Sequence, residues 1–139
     1  MNGSGKVLIV TDGDAATREI AGRIASVIVP PSFESRSVSI IDADAFRGTD
    51  ILPSCAFFLG CAVPSPPSFA FMETLLDRIN LAGRPCGIFS PRADALDYLV
   101  GILRSSEALV GKPLLANGKP DSADMREWVK GIIEMEANR

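Results

Sequence analysis

Histidine is missing from this 139-residue chain. Its absence removes Ser–His–Asp and Cys–His catalysis, the two-His facial triad and every zinc site built on imidazole. Cysteine is scarce as well. Cys55, Cys61 and Cys86 form an odd set with no CxxC pair, so no disulfide framework or thiolate cluster is indicated. No apolar run nears the roughly 18 residues of a membrane-spanning helix. The leading MNGSGK lacks a signal-type apolar region. An excess of basic charge is also lacking, since 14 Lys and Arg face 17 Asp and Glu for a net charge of −3. That balance argues against a nucleic-acid or anionic-membrane partner. A cytoplasmic protein with reduced thiols is expected, with residues 1–5 as a flexible leader and 6–139 as a single domain. Its chemistry has to come from carboxylates, a thiol or a borrowed cofactor.

What is present is the composition of an ordinary globular domain, 47% hydrophobic and 22% charged. Lys6–Thr11 reads as a strand buried on both faces, as parallel strands are. From Ala15, the positions Ile20, Ile24, Val27 and Ile28 follow helical spacing until Pro30-Pro31. Ser35–Ile41 is a second strand, and the polar DADAFRGTDILPS after it predicts a degenerate helix or a long loop. Cys55–Val63 is a third strand, followed by a stiff PSPPS loop and a helix marked by Phe69, Met72, Leu75, Leu76 and Ile79. Arg84–Ser90 is a fourth strand, and Leu96, Leu99, Val100 and Leu103 define the next helix. Ala108–Ala116 is a fifth strand that Gly111 and Pro113 mark as kinked or at an edge. Asp121 or Ser122 caps a last helix striped by Met125, Trp128, Val129, Ile132 and Ile133. Strands alternating with helices imply an α/β parallel sheet with right-handed crossovers, and ligand sites beyond the C-terminal strand ends. Three segments reach that edge: Asp12–Thr17, Cys61–Ser68 and Ser90–Asp97.

Across nearly its whole length the chain resembles the flavodoxin-like family. The resemblance rests on the first strand, turn and TREIA helix, then on FFLGCAVPSPPSFAFMETLLDRI and GRPCGIFS. Gly60, Pro64, Pro66, Phe69, Leu76-Asp77, Gly83 and Arg84 sit where flavodoxins carry comparable residues. The family implies a three-layer, doubly wound, five-stranded parallel sheet of order 2-1-3-4-5. It also implies FMN, no metal, electron transfer without catalytic residues, and a redox partner protein. The implied cofactor residues are Asp12, Gly13, Asp14, Ala15, Ala16 and Thr17 for the phosphate, with Cys61, Ala62, Val63, Pro64, Ser90, Pro91 and Arg92 around the ring.

The phosphate loop departs from the family pattern Ser/Thr-x-Thr-Gly-x-Thr. Only Thr17 keeps the expected type, and two hydroxyl positions have become Asp12 and Asp14. A carboxylate about 5 Å from one phosphate charge costs roughly 3 kcal/mol at an effective dielectric near 20. A helix N-terminus returns about 0.3–1 kcal/mol, up to about 2. Phosphate binding therefore requires both carboxylates to turn away, or Arg18 or Arg92 to compensate. The ring site is thin as well: Pro64 stands where an aromatic is expected, and Tyr98 is already on the helix. Val63, Phe69 or Tyr98 makes at best a poor platform, with core packing the first expectation for Phe69.

Other readings of these residues compete. Asp12-Gly13-Asp14 resembles the DxD motif of haloacid-dehalogenase-like phosphatases, with Asp94 or Asp97 and Lys112 or Lys119 as partners. A phosphorylated receiver lacks its acceptor, since no acid ends the third strand. The simplest role for Asp14 is an N-cap bonded by the amide of Ala16 or Thr17; for Asp12 it is strand termination. Cys61 is a small apolar filler before it is a reactive thiol. The leading functional expectation is FMN-dependent electron transfer. The alternative is a cofactor-free binding or regulatory module on the same fold, and the third is a DxD phosphatase. The weak second helix leaves one sheet face available for dimerisation.

Overall fold

The computed structural model describes residues 6–28, 37–51, 54–116 and 122–135. The expected leader 1–5, the Pro30-Pro31 helix stop and the Asp121 cap lie outside the described residues, as does the side chain of Ser122. Five parallel positions build the sheet in the order β2-β1-β3-β4-β5. They are β1 (Lys6–Thr11), β2 (Ser37–Asp42), β3 (Ser54–Gly60), β4 (Pro85–Ser90) and β5 (Leu109–Val110). The fifth position is broken. A further two residues, β6 (Leu114–Leu115), pair with the far end of β4. Gly111, Lys112 and Pro113 separate the two pieces, as expected where a proline removes a ladder donor. Trp128 covers the break, its indole N–H donating to the carbonyl of Lys112 at 2.6 Å.

Helices α1 (Ala15–Val27) and α5 (Ser122–Ile133) pack on one face of the sheet; α3 (Ala70–Leu76) and α4 (Ala93–Leu103) pack on the other. The second helix, α2 (Gly48–Ile51), is a single turn after a 3-10 turn at Ala43–Ala45. Too few apolar positions recur in DADAFRGTDI to bury a longer stripe; Ala43, Phe46 and Ile51 are its buried ones. In α1 the buried residues Thr17, Ile20, Ala21, Ile24 and Val27 form one stripe at helical spacing. β1 is buried on both faces from Val7 to Thr11. Successive side chains alternate between the layers: Leu8 and Val10 enter the α3/α4 core, Val7 and Ile9 the α1/α5 core.

β3 ends at Gly60 rather than at Val63. Gly60 is in register with both Thr11 and Phe89, and the next three residues leave the sheet. The βα loops after β1, β3 and β4 thus emerge side by side at one edge. Among the described residues no helix is long and apolar enough to cross a membrane.

Candidate functional site: the strand-end loops

The chain leaves β1 at Thr11, whose side chain is fully buried. The hydroxyl of Thr11 accepts the amide of Gly13 at 3.1 Å and donates to Asp42 Oδ1, on the neighbouring strand β2, at 3.4 Å. Gly13 sits at φ +87°, a backbone region that side chains with a Cβ resist. Asp14 then caps α1: its backbone is extended and its Oδ2 accepts the amide of Ala16 at 3.0 Å. The N-cap expected at Asp14 is thus present.

Asp12 does more than end a strand. Its Oδ1 accepts the amide of Asp14 at 3.1 Å, and its Oδ2 accepts the amide of Ala62 at 2.8 Å. Ser68 adds a bond from its hydroxyl to the Asp12 carbonyl at 3.3 Å. One side chain therefore ties the loop after β1 to the loop after β3. Beside them the Arg18 guanidinium meets Asp42 Oδ2 at 2.7 Å. That hydrogen bond and the charge of Asp42 hold the Arg18 pKa above its ordinary value.

Of the second-loop residues, Cys61 is buried and Ala62 and Pro64 are half-buried, while Val63 is 40% exposed. Burial pushes the Cys61 thiol up to about 12, with the charges of Asp12 and Asp94 adding to the shift. A thiol so protonated is an apolar filler rather than a nucleophile. In the third loop Ser90 is buried and its hydroxyl accepts the amide of Arg92 at 3.0 Å. Arg92 turns to Asp94 in a bidentate pair, with Nε–Oδ1 3.0 Å and Nη2–Oδ2 2.6 Å. Pro91 lies between them, half-buried.

The structure brings Asp12–Thr17 and Cys61–Pro64 into direct contact through Asp12. Ser90–Arg92 follows β4 beside them, and its next residues place Asp94 close enough to raise the Cys61 thiol. Three contributors were not singled out from sequence: Thr11, Asp42 and Ser68. Thr11 had a local signal, since a Thr two residues before a Gly favours a side-chain-to-amide turn. Asp42 arrives from β2 and Ser68 from the 3-10 turn Pro67–Phe69, and neither carries such a signal.

FMN, the group implied by the resemblance, is tested by these contacts. The amides of Gly13, Asp14 and Ala16, three donors a phosphate in this loop needs, are held by Thr11, Asp12 and Asp14. The ring side offers little more. Phe69 is fully buried, with its ring centroid 6.1 Å from that of Tyr98, and the Tyr98 hydroxyl bonds Glu73. As it stands the loop does not fit a phosphate. The phosphatase chemistry lacks a free nucleophile for a similar reason. Both oxygens of Asp12 hold amides, Asp94 is paired with Arg92, and Lys119 lies outside the described residues.

An open parallel sheet of order 2-1-3-4-5, wrapped by helices on both faces, defines the doubly wound α/β class. Within that class the chain has the flavodoxin-like fold. It superposes on a short-chain flavodoxin associated with a non-canonical PDU bacterial microcompartment with a TM-score of 0.79 at 10% identity, covering 94% of this chain and 98% of that one. The flavodoxin of Streptococcus pneumoniae TIGR4 matches with a TM-score of 0.73 at 16% identity, covering 96% and 97%. Oxidised Flavodoxin 2 from Bacillus cereus matches with 0.71 at 19%, covering 96% and 98%. At these identities the likeness is one of fold. No protein-family model matches the sequence, and no curated protein does.

Proposed function

We propose that this chain is a binding or regulatory module that uses the flavodoxin-like fold without a bound flavin. The observation that carries this reading is the closure of the first loop by its own side chains, with Asp14 on the Ala16 amide and Asp12 on those of Asp14 and Ala62. A partner protein meets the rim at the C-terminal strand ends, where Val63 is 40% and Leu115 45% exposed. Phe71, on the first turn of α3, is 54% exposed as well. A cytoplasmic setting suits Cys61 and Cys86, both buried as thiols.

FMN-dependent electron transfer to a redox partner is the second reading, and one observation favours it. Thr17, the residue that keeps the flavodoxin type, is fully buried, and its Oγ1 has no hydrogen-bond partner among the described residues. Buried hydroxyls are costly without a partner. Titrating apo-protein into FMN separates the two readings. Unchanged flavin fluorescence and visible bands at tens of micromolar protein are expected. Saturable quenching would make the protein an electron carrier instead.

A further inference from the structure

We propose that Asp12 and Asp14 are built-in replacements for the anion that the first loop is shaped to hold, so that the loop keeps its shape with no ligand. This rests on the cofactor-free reading above and says what replaced the cofactor's phosphate. Three features of an anion loop persist. Gly13 holds a positive φ of +87°, a 13-residue helix begins at Ala15, and a buried Thr17 sits in its first turn. The helix N-terminus favours negative charge and its first amides require acceptors.

Those acceptors are supplied from within. Asp14 Oδ2 takes the Ala16 amide at 3.0 Å, and Asp12 Oδ1 takes the Asp14 amide at 3.1 Å. A ligand phosphate would have joined the first loop to its neighbours; here Asp12 Oδ2 reaches the Ala62 amide at 2.8 Å instead. Side chains tethered at residues 12 and 14 reach these amides but do not reach Thr17 Oγ1, the one buried side-chain polar atom without a partner among the described residues. The replacement is therefore nearly complete, and Thr17 marks what it misses. Two single carboxylates standing on the amides also exclude a dianion, both by occupying its donors and by charge.

The test uses the full chain as wild type, Asp12→Ser, Asp14→Thr and the double variant. Thermal midpoints are read by circular dichroism alone and with inorganic phosphate, FMN or riboflavin. Flavin fluorescence gives affinities. Without ligand the double variant melts several degrees below wild type. Inorganic phosphate and FMN raise its midpoint, riboflavin does not, and its FMN affinity exceeds that of wild type by at least about tenfold. Asp14→Asn keeps an acceptor on the Ala16 amide without the charge, so it retains the wild-type midpoint and gains no phosphate response. A double variant as stable as wild type without ligand overturns the proposal. So does a double variant indifferent to both phosphate and FMN, or an Asp14→Asn that binds phosphate. Should the variants fail to fold, phosphate and FMN are added during refolding, and recovery with neither also counts against it. FMN binding by wild type sinks the cofactor-free reading, whereas the ligand-free midpoints judge the replacement separately.

Discussion

Two kinds of close fit meet at the C-terminal side of the sheet. Between β3 and β4 the fit is apolar and made by size. Gly60 lies across from Phe89, and Gly87 lies across from Phe58. Each ring fills the space that the opposing glycine leaves: a Cβ at Gly60 would stand 2.1 Å from the Phe89 ring, and one at Gly87 2.6 Å from the Phe58 ring. A few residues further on, in the loops after β1 and β4, the fit is polar and made by reach. The side chains of Thr11, Asp12, Asp14 and Ser90 each turn to an amide two residues ahead. In the first region the side chains leave room for one another; in the second they take up the room and the donors that a ligand would use. The interior is therefore matched by side-chain size, whereas at the strand-end edge side chains hold the loop's own amides.

The apolar fit should show the largest effect. Phe89→Ala empties the space over Gly60 and is expected to cost about 3–5 kcal/mol. Gly60→Ala forces the Phe89 ring aside and costs about 1–3 kcal/mol. If size matching is the mechanism, Gly60→Ala combined with Phe89→Leu costs less than the sum of the two single changes, read from urea midpoints. Strict additivity would mean that the glycine serves the backbone and not the ring.

Cys61 lies at the boundary between the two regions and gives a pH signature. Its thiol is raised to about 12, by burial first and then by Asp12 and Asp94. The folded protein holds this proton above the pH at which the unfolded chain releases it, near 8.5. Stability contributed by the site is therefore full below about pH 8.5 and declines as pH rises towards 12, by at most about 1.4 kcal/mol per pH unit. Burial raises Cys86 and Tyr98 in the same direction. Chemical denaturation from pH 7 to 10.5 should show a flat region and then a fall, which Cys61→Ala makes shallower. An unchanged slope in the variant would place Cys61 in contact with water, on the loop side of the boundary.

How much of this was legible in the sequence follows the same division. The strands, the helices and their order could be read because burial repeats with a period that local pattern reveals. Val7–Val10 and the Ile20–Ile24–Val27 stripe are examples. The interruption of the fifth strand was announced by Gly111 and Pro113. The Asp14 cap is also a local event, made within two residues. The Asp12–Ala62 bond is not, because its partners are fifty residues apart and meet only once β1 and β3 are paired. Thr11–Asp42 depends in the same way on the β1–β2 register. The sequence could say that two acids stand in the turn before the first helix; only the fold could say which amides they hold.

The outermost part of the polar region should contribute least. Arg18 and Asp42 form an ion pair whose side chains are 56% and 37% exposed. Such pairs sit in high dielectric, and ordering two mobile side chains offsets their attraction. Arg18→Ala is therefore expected to move the denaturation midpoint less than either change at Gly60 or Phe89. The remaining difference should fade near 1 M salt, where the screening length falls to about 3 Å. Asp42→Ala goes one step deeper, since it also removes the acceptor of the buried Thr11 hydroxyl. It should cost more than Arg18→Ala at every salt concentration, and that surplus should persist at high salt. If instead the two substitutions match and both vanish with salt, the Thr11–Asp42 bond adds nothing, and the polar closure begins at Gly13 rather than at the end of β1.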